Sequence, residues 1–147
     1  MLTISNTTRK RLPALPFSDI ADKVLGKKYD LSLVFIGHKK SRSLNRQYRD
    51  KDKPTNVLSF PYDKKSGEIF IDLAKVETEL KKFDSTFTYH LGFLFIHGVL
   101  HLKGLDHGST MEREEAKLTN AFLLNEKTNH HRTGHRHVAH PRRRLRI

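Results

Sequence analysis

The chain has no cysteine. That absence excludes a disulfide framework, a thiolate metal site and a thiol nucleophile, so metal chemistry would have to use histidines and carboxylates; it also suits a reducing compartment. A long apolar run is missing too: no window reaches the roughly 18 apolar residues that a membrane span needs. The N-terminus, MLTISNTTRKRLPALPF, lacks the basic-then-apolar layout of a secretory signal. A soluble, cytoplasmic protein without membrane contact is expected. No internal repeat is present, and 147 residues suit one ordinary domain with a core of its own.

Acidic residues are in short supply, 16 against 28 basic ones, for a net charge of +12. Such a balance points to a polyanionic partner, nucleic acid or an anionic membrane. Its distribution is uneven. Lys127, Arg132, Arg136, Arg142, Arg143, Arg144 and Arg146 have no acidic neighbour between 127 and 147, whereas residues 1–126 hold 21 basic residues against 16 acidic. Half of the ten histidines (His130, His131, His135, His137 and His140) also lie in that last segment. The expected organisation is a folded, metal-bearing domain over 1–126 and a basic His/Arg-rich tail over 127–147. The tail is expected to be disordered, with RNA contact by charge, metal binding by histidine and no role as the three readings.

Leu2 to Ser5 alternates apolar and polar side chains, and Ser18 is a candidate N-cap for a short helix on Ile20, Ala21, Val24 and Leu25. Leu31 to Ile36 is β-branched and aromatic and reads as a central strand. A basic helical stretch follows over 39–53. Val57 to Phe60, closed by Pro61, and Glu68 to Asp72, after a turn at Ser66 and Gly67, suggest a hairpin. Leu73 to Phe83 has helical periodicity. Residues 86–103 are apolar on nearly every side, as in a helix at the centre of a domain, with Asp84 or Ser85 as cap and Gly104 as stop. A last helix is expected from Ser109, with Glu112 completing a capping-box pattern, to about Asn125. Together these predict a single compact α+β domain, its small mixed sheet packed on the central helix.

The chemistry concentrates in HGVLHLKGLDH, residues 97–107. His97 and His101 are four apart on the central helix and share a face, and Gly104 lets the chain turn so that His107 returns to the same place. Three imidazoles with an open fourth position describe a zincin-like, catalytic Zn2+ site, one ion per chain, where the metal acts as a Lewis acid and lowers the pKa of bound water. The spacing is that of the metzincin proteases except at one position. Their general-base glutamate is replaced here by Gly98, so peptide cleavage lacks the residue that activates water.

With NRQYRDKDKPTNVLSFP at 45–61, the histidine motif resembles the YbeY family of bacterial metal-dependent endoribonucleases, over roughly residues 1–126. The resemblance implies a compact α+β domain that holds zinc through His97, His101 and His107. It also implies an arginine facing the metal cleft and needed for RNA cleavage, at the position of Arg49. The implied role is single-strand-specific endoribonuclease action in ribosomal RNA maturation and ribosome quality control, with ribosomal RNA and the ribosome as partners.

The residues around Arg49 agree in kind. Lys39, Lys40, Arg42, Arg46, Arg49, Lys51 and Lys53 face only Asp50 and Asp52 over 38–53, a local excess suited to a phosphate backbone. Arg46, Lys51, Lys53 and Ser59 are the candidate RNA contacts, Ser59 because it points opposite its strand neighbours, with Thr55 and Asn56 along the same cleft. Asp106 is a candidate catalytic or ligand-orienting carboxylate, or else caps its turn. His90, about 10 Å along the helix from His97, reads as structural, and His38 carries no signal. Two rival functions stand beside the nuclease: a metal-stabilised ribosome- or RNA-binding factor without cleavage activity, and a metalloprotease-like hydrolase. Nothing in the sequence sets the oligomeric state.

Overall fold

Period-two burial along one strand organises the fold. In β2 (Asp30–Ile36) the side chains of Leu31, Leu33 and Phe35 are buried on one face, and Ile69 and Ile71 of β4 (Ser66–Asp72) lie beside them in register, Leu33 opposite Ile69 and Phe35 opposite Ile71. β1 (Leu2–Asn6) pairs parallel with β2, β2 parallel with β4, and β3 (Val57–Asp63) antiparallel with β4, giving the order β1-β2-β4-β3. This computed structural model describes residues 1–82 and 84–126. The expected tail at 127–147 lies outside the described residues.

The inner face of the sheet carries the main core. α1 (Phe17–Leu25) lays Phe17, Ile20, Ala21 and Val24 on it, and α4 (Phe87–Lys103) is buried along nearly its whole length, with Phe17 edge-on to Phe95 at 5.0 Å between ring centroids. α5 (Ser109–Phe122) packs against α4, and α3 (Leu73–Glu79) adjoins it. On the other face α2 (His38–Arg49) contributes Leu44 to a smaller cluster with Ile36 and Leu58. The expected α+β domain with a small mixed sheet on a central buried helix is therefore the observed one. Among the described residues no helix is long and apolar enough to cross a membrane.

Boundaries differ from expectation where tertiary contacts intervene. β3 runs through Pro61 to Asp63, because β3 is an edge strand and its register shifts between Pro61 and Asp63, so the missing N–H is tolerated. The turn sits at Lys64 and Lys65, with Asp63 accepting from the Lys65 N–H at 2.8 Å and the Ser66 hydroxyl at 2.9 Å. α1 begins at Phe17 rather than after Ser18, since the Pro16 carbonyl already accepts the first helical bond from Ile20 at 3.0 Å. Thr86, not Asp84 or Ser85, caps α4 by accepting from the Tyr89 N–H at 2.9 Å. Ser109 is the first residue of α5 with Gly108 at the N-cap, so the capping box is not made. α3 gives way after Glu79 to a 3₁₀ turn, Leu80–Lys82, and α5 stops at Phe122.

Candidate metal centre and the basic cleft beside it

α4 presents His97 and His101 one turn apart on the same face. Gly104, at φ 108°, then ends the helix in the left-handed conformation: its N–H donates to the His101 carbonyl at 2.9 Å, and the Leu105 N–H donates to the Leu100 carbonyl at 3.1 Å. This turn folds His107 back onto the helix. Its Nε2 lies 3.3 Å from Nε2 of His97 and 3.4 Å from Nε2 of His101. Two nitrogens bound tetrahedrally at about 2.05 Å stand about 3.3 Å apart, so the two spacings to His107 fit a small divalent cation such as zinc, and the ligand atoms of all three rings lie within 4.8 Å of one another. Burial decreases from His97 through His101 to His107, so the cluster opens to solvent on the His107 side.

His97 is oriented from behind. Its Nδ1 pairs with the carboxylate of Glu115 on α5, both side chains being almost wholly buried. With the Nδ1 proton donated to Glu115, the Nε2 lone pair is left facing the other two imidazoles, the tautomer a metal ligand needs. Burial, reinforced by the neighbouring His97 and His107, pushes the His101 pKa down to about 4, which keeps that ring neutral. Asp106, the carboxylate expected from the sequence to orient a ligand, is exposed beside His107. Glu115 escaped sequence reasoning, although one signal was there: it falls on the stripe Met111, Glu115, Leu118, where the other members are apolar and all are buried.

Gly98 answers to packing. The Ser59 hydroxyl on β3 donates to the Gly98 carbonyl at 3.1 Å, and a Cβ on Gly98 would stand 3.1 Å from Ser59 Oγ and 3.2 Å from Ile69 Cδ1. The glutamate that the metzincin pattern carries would require Ser59 and Ile69 to give way by a few tenths of an ångström. Ser59 thus ties β3 to α4 beside His97.

Arg49, Lys51 and Lys53 come together in a cleft of about 200 Å³, which Asn45, Thr55 and Asn56 also line. The 53–55 segment is held along α2: the Asn45 side-chain amide donates to the Lys53 carbonyl at 2.9 Å, and Ser41 Oγ exchanges bonds with the Thr55 backbone at 2.8 and 2.9 Å. Arg46 lies outside this lining, 3.5 Å from an exposed Asp52 that Arg42 grips at 2.8 and 3.0 Å. That grip holds the Asp52 carboxyl below the ordinary carboxylate range. The far wall of the cleft is Glu79, which meets Nε2 of the buried His90 at 2.7 Å. His90 is seven residues before His97, about 10 Å along the α4 axis, and is linked to the cleft through Glu79. His38 pairs with the buried Asp72 at 2.7 Å and joins the starts of α2 and α3.

A family model described as Endoribonuclease YbeY matches residues 4–127. The endoribonuclease YbeY of Neorickettsia sennetsu is 35% identical over 126 residues, 78% of this chain and 88% of the relative. That of Aliarcobacter butzleri is 35% identical over 113 residues, 73% of this chain and 79% of its own length. A solution structure from Thermotoga maritima superposes with a TM-score of 0.56 at 25% identity, covering 80% of this chain and 85% of that one.

Proposed function

The chain belongs to the YbeY endoribonuclease family, and from that premise we propose that it is a zinc-dependent, single-strand-specific endoribonuclease acting in ribosomal RNA maturation and ribosome quality control in the cytoplasm. The observation that carries the reading is the convergence of three imidazole Nε2 atoms at 3.3 and 3.4 Å, one of them fixed from behind by a buried carboxylate. A zinc ion held by His97, His101 and His107 supplies Lewis acidity towards a phosphoryl oxygen. Glu115 keeps the His97 ring turned to the centre. Arg49 offers paired N–H donors to the non-bridging oxygens and stabilises the charge that grows on them in the transition state. Lys51 and Lys53 hold flanking phosphates, and the positive charge of the chain favours a polyanionic partner. Ser59 acts through position, keeping β3 on α4 so that cleft and centre hold their spacing. Asp106, exposed beside His107, is the chain's own candidate for handling a proton.

The test compares the zinc-loaded full chain with His101→Ala and Arg49→Ala, purified identically, on a fragment of precursor ribosomal RNA. Both variants should stay folded by circular dichroism and lose at least about a hundredfold in cleavage rate. Equal activity in all three chains would overturn the reading in favour of an RNA- or ribosome-binding factor. The product ends then give the chemistry: a 2′,3′-cyclic phosphate marks attack by the substrate's own 2′-hydroxyl, and a 5′-phosphate marks attack by water.

A further inference from the structure

The basic cleft contains a carboxylate for which the cleavage chemistry has no use. Arg49, Lys51, Lys53, Lys75 and Lys82 line the space, and among the described residues none of the four lysines is ion-paired. Glu79 stands among them. Its carboxylate is held rigidly: His90 Nε2 lies 2.7 Å from Oε1, and the Asn56 side-chain amide donates at 3.2 and 3.4 Å. Its side chain is 14% exposed and lines the cleft.

Cations around a cleft draw phosphates into it, but a fixed carboxylate repels them. The ligand group that meets Glu79 must therefore be a hydrogen-bond donor attached close to a phosphate. In a nucleic acid strand the donors are the base edges and, in RNA alone, the ribose 2′-hydroxyl. Base edges lie across the sugar from the backbone, whereas the 2′-hydroxyl sits on the carbon beside the one that carries the 3′-phosphate. The hydroxyl next to the phosphate is the donor within reach. We infer that Glu79 accepts a hydrogen bond from the 2′-hydroxyl of one nucleotide in the bound strand and makes the cleft selective for RNA over DNA. The inference rests on the RNA reading above and extends it. His90, which braces Glu79, lies about 10 Å along α4 from His97, so Glu79 is held two helical turns from the histidine cluster. Glu79 is thus a specificity-determining residue, its geometry kept by His90 and Asn56.

The experiment is a scan of single 2′-deoxy substitutions through a short fluorescein-labelled single-stranded oligoribonucleotide. Binding to the zinc-loaded full chain is read by stopped-flow anisotropy before cleavage accumulates. In the wild type one position should cost about tenfold in affinity, the worth of one charge-assisted hydrogen bond. In Glu79→Gln that one position's penalty should shrink, because the amide oxygen is an uncharged and weaker acceptor, while loss of the negative charge strengthens binding of every oligonucleotide alike. Lys82→Ala, on the exposed rim, should weaken ribo- and deoxyribo-oligonucleotides equally. A flat scan in the wild type overturns the inference without any variant. So does a Glu79→Gln chain that binds every oligonucleotide more weakly in proportion, the behaviour of a merely structural residue. Wild-type protein that binds and cuts RNA but gives a flat scan sinks only this subsite; protein that neither binds nor cuts sinks the RNA reading as well.

Discussion

His97 illustrates how a residue's chemistry is divided between its own position and a distant neighbour. Its spacing from His101 and His107 is visible in the chain because a helix period and one glycine turn are local properties. Its Nδ1 partner is not, since Glu115 is 18 residues away on another helix. Glu115→Gln should therefore leave the fold intact but weaken zinc binding by about tenfold to a hundredfold, measured by competition with a chromophoric chelator. Unchanged affinity would mean that the carboxylate has no hold on the ligand. His101 makes a second prediction, for the metal-free chain. Its pKa is lowered from 6.5 to about 4 by folding, so between those values the unfolded chain binds more protons than the folded one. Stability should then be unaffected above neutral pH and fall progressively as pH drops from about 6.5 to about 4. Urea titrations across that range should show the fall flattened in His101→Gln; identical profiles would contradict the assignment.

At the scale of elements, glycines do more for the candidate site than helix propensity does. Gly104 at φ 108° is the reason His107 can return to α4. Gly104→Ala should cost about 1–2 kcal/mol in urea unfolding of the metal-free chain, and zinc affinity should drop with it because one ligand is displaced. Loss of stability with zinc affinity intact would separate the turn from the site. Element types were legible because periodicity encodes them, as in the alternation of β2 and the all-round apolar α4. Their ends were not. Pro61 looked like a stop until β3 proved to be an edge strand, and Ser109 looked like a cap although Gly108 occupies that position. A proline's tolerance depends on whether its missing N–H faces a neighbouring strand, which no short segment records.

For the whole molecule, zinc held by His97, His101 and His107 should stabilise the folded chain, because the three ring nitrogens converge only when it is folded. Zinc at about a hundred times its dissociation constant should add about 2.7 kcal/mol of stability, reversed by EDTA and absent in His101→Ala, as read by scanning calorimetry. An equal shift in that variant would place the stabilising ion elsewhere. The sequence by itself determined the α+β class, the central buried helix and the three histidines that converge, because these rest on local period and on the absence of cysteine. Only the tertiary structure decided which carboxylate stands behind which histidine: Glu79 with His90, Glu115 with His97 and Asp72 with His38, across separations of 11, 18 and 34 residues. It also gathered Arg49, Lys51 and Lys53 with Lys75 and Lys82 around Glu79 while leaving Arg46 with Asp52. The reason is that such pairs form where helices pack across a shared core, and packing brings together residues whose spacing along the chain carries no period.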